Sequence, residues 1–234
     1  MANKRLVWDQ DTEREYEGGI DQAALFVMGA NGYGAGEAWN GLTKFEEKPT
    51  GAEIKKKYAN NREYAQLQSP EEYEGTLEAF TWPEGFYACQ GMKQIAPGVF
   101  AHQQTRAKFG VVYRTLIGND TEGYDHGYKY HIIYGCLAKP SSQTHETEDD
   151  DTDIEPFSWD VSATAPSSKI AGFKPSATYT IDSRLANAAQ IKEFEDYVYG
   201  TDPTTGETPT AGSEATMPMP EKLIEIFGAE IVNG

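Results

Sequence analysis

Cysteine is nearly missing from these 234 residues: Cys89 and Cys136 are the only two. Two thiols so far apart give neither a disulfide framework nor a zinc cluster, and are expected to serve as small buried apolar side chains. Long apolar runs are missing as well. The longest, Ala23 to Met28 and Ile132 to Tyr134, fall far short of the roughly 20 residues that a membrane-spanning helix needs. The opening MANKRLVWDQDTERE carries charge with no apolar stretch behind it, so no secretory signal is expected and synthesis is placed in the cytoplasm. Cations are scarce: 20 Lys and Arg stand against 37 Asp and Glu, a formal charge of −17. Nucleic acid and anionic membranes are bound through cationic patches, so this balance argues against both, although solubility alone also explains an acidic surface.

The signatures of common chemistries are also lacking. There is no G-x-S-x-G elbow and no Walker A loop. GANGYGAGEAW bunches four glycines between Gly29 and Gly36, but no amphipathic helix follows it, which favours a strand connector over a phosphate cradle. Of the four histidines, His126 and His131 lie five apart, a spacing that fits neither an HExxH helix nor a zinc-finger pair. Asn119, Asp120, Glu122 and Asp125 offer oxygens for calcium without the alternating ligand pattern and closing glutamate of an EF-hand loop. No catalytic constellation, metal or cofactor is therefore expected.

What the sequence does have is period-two alternation. In FGVVYRTLI, Phe109, Val111, Tyr113, Thr115 and Ile117 share a face; in YKYHIIYGC, Tyr128, Tyr130, Ile132, Tyr134 and Cys136 do. FSWDVSA places Phe157, Trp159 and Val161 together, and FKPSATYTID does so with Phe173, Ala177, Tyr179 and Ile181. KRLVWD and QAALFVM look like a further strand pair. Helical spacing comes late: after Asp182 or Ser183 as cap, Leu185, Ala188, Ile191, Phe194 and Val198 recur every three or four residues up to Gly200. PEKLIEIFG reads as a second, short helical stretch. One domain, mainly β and of the α+β class, with a helix flanking a sandwich or barrel-like sheet, accounts for these patterns.

Several stretches fit no core. The loop at 201–219 is rich in proline, threonine and glycine and is expected to be exposed or mobile in the free protein. Residues 139–156 hold seven acids and Ile154 as their lone hydrophobe, with Glu148, Asp149, Asp150, Asp151 and Asp153 as a candidate acidic cluster for a channel or an outer surface. FTWPEGFYACQG crowds aromatics around Pro83 and Gly85. Trp82, Phe86 and Tyr87 there are a candidate contact turn, or else satellite core. The ten residues Gly118 to Gly127, with Asn119, Asp120, Glu122, Tyr124, Asp125 and His126, are either a site for chemistry or a contact loop.

AWNGLT at 38–43, PTGAEIKKKYANNREYAQL at 49–67, EGTLEAFTWPEGFYACQG at 74–91, the run from Ala96 to Ala138 and FSWDVSATAP at 157–166 together resemble the major tail tube proteins of long, non-contractile-tailed bacteriophages. RLVWDQDTEREYEGGID and the C-terminal segment fit the same family, so the resemblance spans nearly the whole chain; residues 147–153 are its least similar part. It implies a virion tail protein made in the bacterial host. Six copies would form a ring, each giving strands to an inner β-barrel, and rings would stack into a hollow tube with loops and terminal arms reaching the next ring. It implies no active site, and as partners other copies of the chain, a tail tip or baseplate initiator, a tape measure protein, a tail terminator and double-stranded DNA that passes through without being held. The acidic balance suits such a conduit, and the 118–127 loop then becomes an inter-subunit or inter-ring contact. Other readings are a tail terminator that stops at one ring, a calcium-dependent carbohydrate-binding β-sandwich module, and, behind these, an enzyme using His126 or Asp125.

Overall fold

The computed structural model describes residues 5–8, 11, 13–69, 71–144, 147, 154–167, 170, 172–205 and 211–228. The alternation read from the sequence becomes strands β1 (Tyr16–Gly29), β2 (Gly32–Ala38), β3 (Leu42–Glu47), β4 (Thr50–Gly51), β5 (Ile54–Ala59), β6 (Arg62–Gln68) and β7 (Glu71–Ala79). After a one-turn helix α1 (Phe86–Cys89) come β8 (Lys93–Ala96), β9 (Val99–Ala101), β10 (Phe109–Asn119), β11 (Gly123–Ala138), β12 (Phe157–Ala163) and β13 (Thr178–Asp182). Helices α2 (Ala188–Tyr199) and α3 (Pro220–Phe227) follow. The main sheet runs β2-β1-β10-β11-β12-β7-β3, with β13 also paired to β11 and β4 to β7. It is antiparallel throughout. The path ends at β2 and β3 and does not close into a barrel within one chain. The class is α+β and mainly β, as the patterns indicated.

One glycine shapes the sheet. β11 pairs with β13 over Lys129–Ile133 and with β12 only at Leu137 and Ala138. Against β10, Val111 faces Ile133 but Phe109 faces Cys136, so β11 carries one extra residue there, a bulge. Gly135 occupies it at φ 58, and a Cβ at that position would stand 2.5 Å from the Thr164 carbonyl oxygen. Only glycine fits both demands. The extra residue also reverses the side-chain phase: Tyr130, Ile132 and Tyr134 face the helices, while Cys136 joins the opposite core. The sequence pattern put Cys136 on the face of Tyr134, and the bulge is the reason it is not there.

The two faces bury different cores. On one side, Leu25, Phe109, Val111, Ile133 and Cys136 meet Leu77, Trp159 and Val161 from the other half of the sheet, with Trp39 and Phe86 between them. On the other, Phe26, Val112, Tyr130, Ile132 and Tyr134 pack against Ile191, Phe194 and Val198 of α2 and Leu223 and Ile226 of α3. Each fully buried side chain of this size contributes about 1.5–3 kcal/mol of transfer free energy, which is what fixes the helices to the sheet. Cys89 and Cys136 are both free and buried, and burial pushes the Cys89 thiol up to about 12.

Three expectations need correction, and one open alternative is narrowed. Within KRLVWD, the described residues 5–8 form no strand: Leu6, Val7 and Trp8 are exposed, since apolar alternation says that a face is apolar but not what it packs against. α2 starts at Ala188, capped by Asn187 in a reciprocal box with Gln190. The Asp182 carboxylate is engaged by Arg184, and Leu185 lies outside the helix, 89% exposed. Within the 201–219 loop, residues 211–219 are held: Met217 is buried in the helix-side core, Tyr134 donates its hydroxyl to the Pro218 carbonyl at 2.5 Å, and Gly36 N–H donates to Ala215. The aromatic turn is largely core. Phe86 is buried, Trp82 packs edge-on to Phe157 and Trp159, and Tyr87 stacks on Phe100, leaving Phe80 as the exposed ring of the stretch.

Candidate interaction surface

The β10–β11 hairpin carries the 118–127 loop at its tip, where Asn119 pairs with Gly123. The buried Asn119 organises the turn: its Oδ1 accepts from the N–H of Thr121 at 3.1 Å and of Glu122 at 2.6 Å. His126 lies beneath, with Nδ1 2.7 Å from Glu122 and Nε2 3.0 Å from Glu15. Both ring nitrogens thus face carboxylates, which calls for a proton on each. Asp120 reaches Arg14 at 3.6 Å, and Glu15 also binds Arg184. Tyr124 meets Tyr16 edge to face at 5.3 Å. The structure therefore brings Asn119, Asp120, Glu122, Tyr124 and His126 together, while Asp125 is exposed and lines the groove beside α2. Their polar atoms are spent on one another and on the segment entering β1, with the carboxylates split between opposite sides of the imidazole; this is an anchoring cluster. The acids at 148–151 and 153 lie outside the described residues.

The two histidines near this hairpin titrate in opposite senses. Glu122, then Glu15, hold the His126 proton above the ordinary value of 6.5. Its pairing stabilises the fold fully below about pH 6.5, and this is lost as the pH rises through the elevated folded pKa. His131 stacks on Tyr113 and bonds Thr115 at 2.9 Å; burial lowers its pKa although Glu47 and Glu17 are near. The unfolded chain takes that proton first, so His131 costs stability as the pH falls from about 6.5 through its depressed folded value. His131→Gln is expected to flatten the acid-side loss in urea midpoint. His126→Gln is expected to lower the midpoint in mild acid and leave it little changed in alkali. Slopes of the same sign for both variants would contradict these environments.

Exposed apolar side chains concentrate on projections. Among the described residues, the β5–β6 hairpin pairs with no other strand, and it presents Ile54, Tyr58, Tyr64 (79% exposed) and Leu67. Between Ile54 and Gln68 it carries Lys55, Lys56, Lys57 and Arg62 against Glu63 alone, a cationic finger on an acidic chain. The β8–β9 hairpin exposes Ile95 and Val99. None of these residues was singled out from the sequence as a site. A groove of about 670 Å³ lies between the β10–β11 hairpin and α2, with Leu116, Tyr128 and Ile191 among its walls.

The chain matches no family model and no curated protein. Among solved structures, a chain of the anti-feeding prophage (AFP) baseplate, resolved by cryo-EM with 6-fold symmetrisation, aligns with a TM-score of 0.34 and 7% identity, over 77% of this chain and 100% of that one.

Proposed function

We propose that this chain is the tube-forming subunit of a long, non-contractile bacteriophage tail, a virion component without enzymatic activity that assembles as stacked hexameric rings. The observation that carries the reading is the β5–β6 hairpin. A two-stranded hairpin with apolar side chains in solvent on both strands is marginal by itself, and contacts with other copies of the chain would give those side chains a place to be buried. The strands β2 and β3 that end the sheet are likewise edges that neighbours in a ring can cover. The family resemblance in the sequence supplies the identity of the assembly. In it the tail tip or baseplate initiator, the tape measure protein and the tail terminator are further partners, and the 118–127 tip and the β8–β9 hairpin are additional contacts.

The net charge of −17 then serves transport: a lumen richer in Asp and Glu than in Lys and Arg repels phosphate and leaves passing DNA no well to rest in. Sedimentation velocity over a concentration series tests the assembly. A sharp onset of very large particles above a threshold concentration is expected; a single slow species throughout would count against it. The calcium-dependent carbohydrate-binding module makes a separate demand. On the tube reading, excess chelator leaves the unfolding temperature unchanged to within a degree or so, whereas removing a site filled at 100 times its Kd would cost about 2.7 kcal/mol.

A further inference from the structure

We propose that the recess between the end of α1, the segment 102–106 and residues 141–143 binds a small oxyanion of the phosphate class. Gln90, His102, Arg106, Ser141, Gln143 and Trp159 are among its walls, and its volume is about 160 Å³. Space for about five waters at ~30 Å³ each suits one small polyatomic anion and is too little for a nucleotide. The recess is complete within one chain, so the proposal does not depend on the tube reading.

The walls are chemically one-sided. The chain has 37 acidic residues, yet among the described residues none lines this recess. Arg114 and Arg184 hold carboxylates, Asp21 for the first and Glu15 and Asp182 for the second. Arg106 is half-buried and meets no carboxylate among the described residues. Its Nη1 donates to the Ala138 carbonyl at 3.0 Å, which spends one of the guanidinium's donors and leaves the others. Gln90 supplies a second unspent donor. It is 7% exposed, its Oε1 accepts from Trp159 Nε1 at 3.3 Å and from Gln143 Nε2 at 3.1 Å, and its Nε2 has no partner among the described residues. The indole N–H can only donate, so the amide oxygen must face it and the amide nitrogen is the atom left over. A buried amide N–H without an acceptor is destabilising, and an acceptor entering beside it relieves that cost. His102 and Ser141, both exposed, add a ring N–H and a hydroxyl at the rim.

The segment that carries the cation is fixed in place. Gln104 N–H donates to the Gly91 carbonyl at 2.9 Å and Ala107 N–H to the Ala88 carbonyl at 3.0 Å. The Arg106 stem lies so close to Gly91 that a Cβ there would stand 3.1 Å from its Cγ. A guanidinium held by its stem keeps its fork aimed and loses little freedom on binding. Unspent donors of several kinds around a space without carboxylates recognise a charged acceptor that offers several oxygens.

Isothermal titration of inorganic phosphate into the full-length chain at neutral pH, with ionic strength held constant by chloride, tests the site. Saturable binding at one site per chain is expected. Arg106→Gln should weaken it about tenfold or more, the weight of a charge-assisted hydrogen bond. His102→Gln, at an exposed position that leaves folding intact, should weaken it about threefold. Arg62→Gln removes a cation from the β5–β6 hairpin, outside the recess, and should leave the affinity unchanged. Urea midpoints of all three variants show that each is folded when titrated, and the His102→Gln result stands even if Arg106→Gln does not fold. No saturable heat, an affinity untouched by His102→Gln, or an equal loss in Arg62→Gln would each overturn the proposal.

Discussion

Exchanging Ile54, Tyr58, Tyr64 and Leu67 together for serine is expected to leave the subunit folded and to abolish self-assembly. All four are exposed, and among the described residues the hairpin that bears them pairs with no other strand, so their removal deletes no core contact there. Substitutions at such positions usually change stability by less than about 0.5 kcal/mol each. At an interface the same side chains weigh far more. Aromatic anchors that become desolvated on association carry about 2 kcal/mol or more apiece, and in a repeating assembly every junction loses them. Two anchors lost per junction is already about 4 kcal/mol, close to a thousandfold in the association constant. An unchanged urea midpoint with the assembly threshold raised beyond reach is the predicted pair of results. Assembly at the original threshold would remove the hairpin from the account.

Gly135→Val is expected to cost about 3 kcal/mol or more of stability. Two costs add: a β-branched residue at φ 58, and a Cβ 2.5 Å from a backbone oxygen that cannot rotate away. Gly123 is the internal control. It has nearly the same φ, 60, but nothing within 4 Å of where a Cβ would stand, so Gly123→Ala bears the left-handed penalty alone, about 1 kcal/mol. For a domain of this size the two variants should differ by several degrees in unfolding temperature, with Gly135→Val the lower. Because the β11 bulge hands the strand from β13 to β12, the failing variant should also lose the Trp159 environment first, which near-ultraviolet dichroism reports. Equal losses for the two glycines would mean that the bulge does not hold the sheet halves together.

The strands that were legible in the sequence are those with an uninterrupted period. β12 occupies the stretch read from Phe157, Trp159 and Val161, with Trp159 and Val161 sealed in the core. β10 follows its odd-numbered face as far as Tyr113. Prediction failed where a tertiary event broke or ignored the period. The bulge at Gly135 is invisible to a pattern count. The β5–β6 hairpin has too many lysines for clean alternation, and its turn is Asn60-Asn61, both at positive φ. That two-residue turn is a hairpin signal, since asparagine tolerates the left-handed region, but it is fainter than Asn-Gly. Residues 211–219 read as loop because prolines flank Met217 and Met219. Their burial depends on Tyr134, far away in sequence, offering both a ring and a hydroxyl. For the candidate site, residue types were legible and geometry was not. His126 could be picked out, but its pairing with Glu15 joins positions more than a hundred residues apart. The groove beside α2 likewise exists only once the helix lies on the sheet.

Negative-stain electron microscopy of the purified chain across a concentration series tests the central claim, self-assembly into a tail tube, most directly. The account predicts hollow tubes of constant width, with six-fold rings in end view, appearing above the threshold seen by sedimentation. Isolated globular particles at every concentration, or a single ring that never stacks, would contradict it.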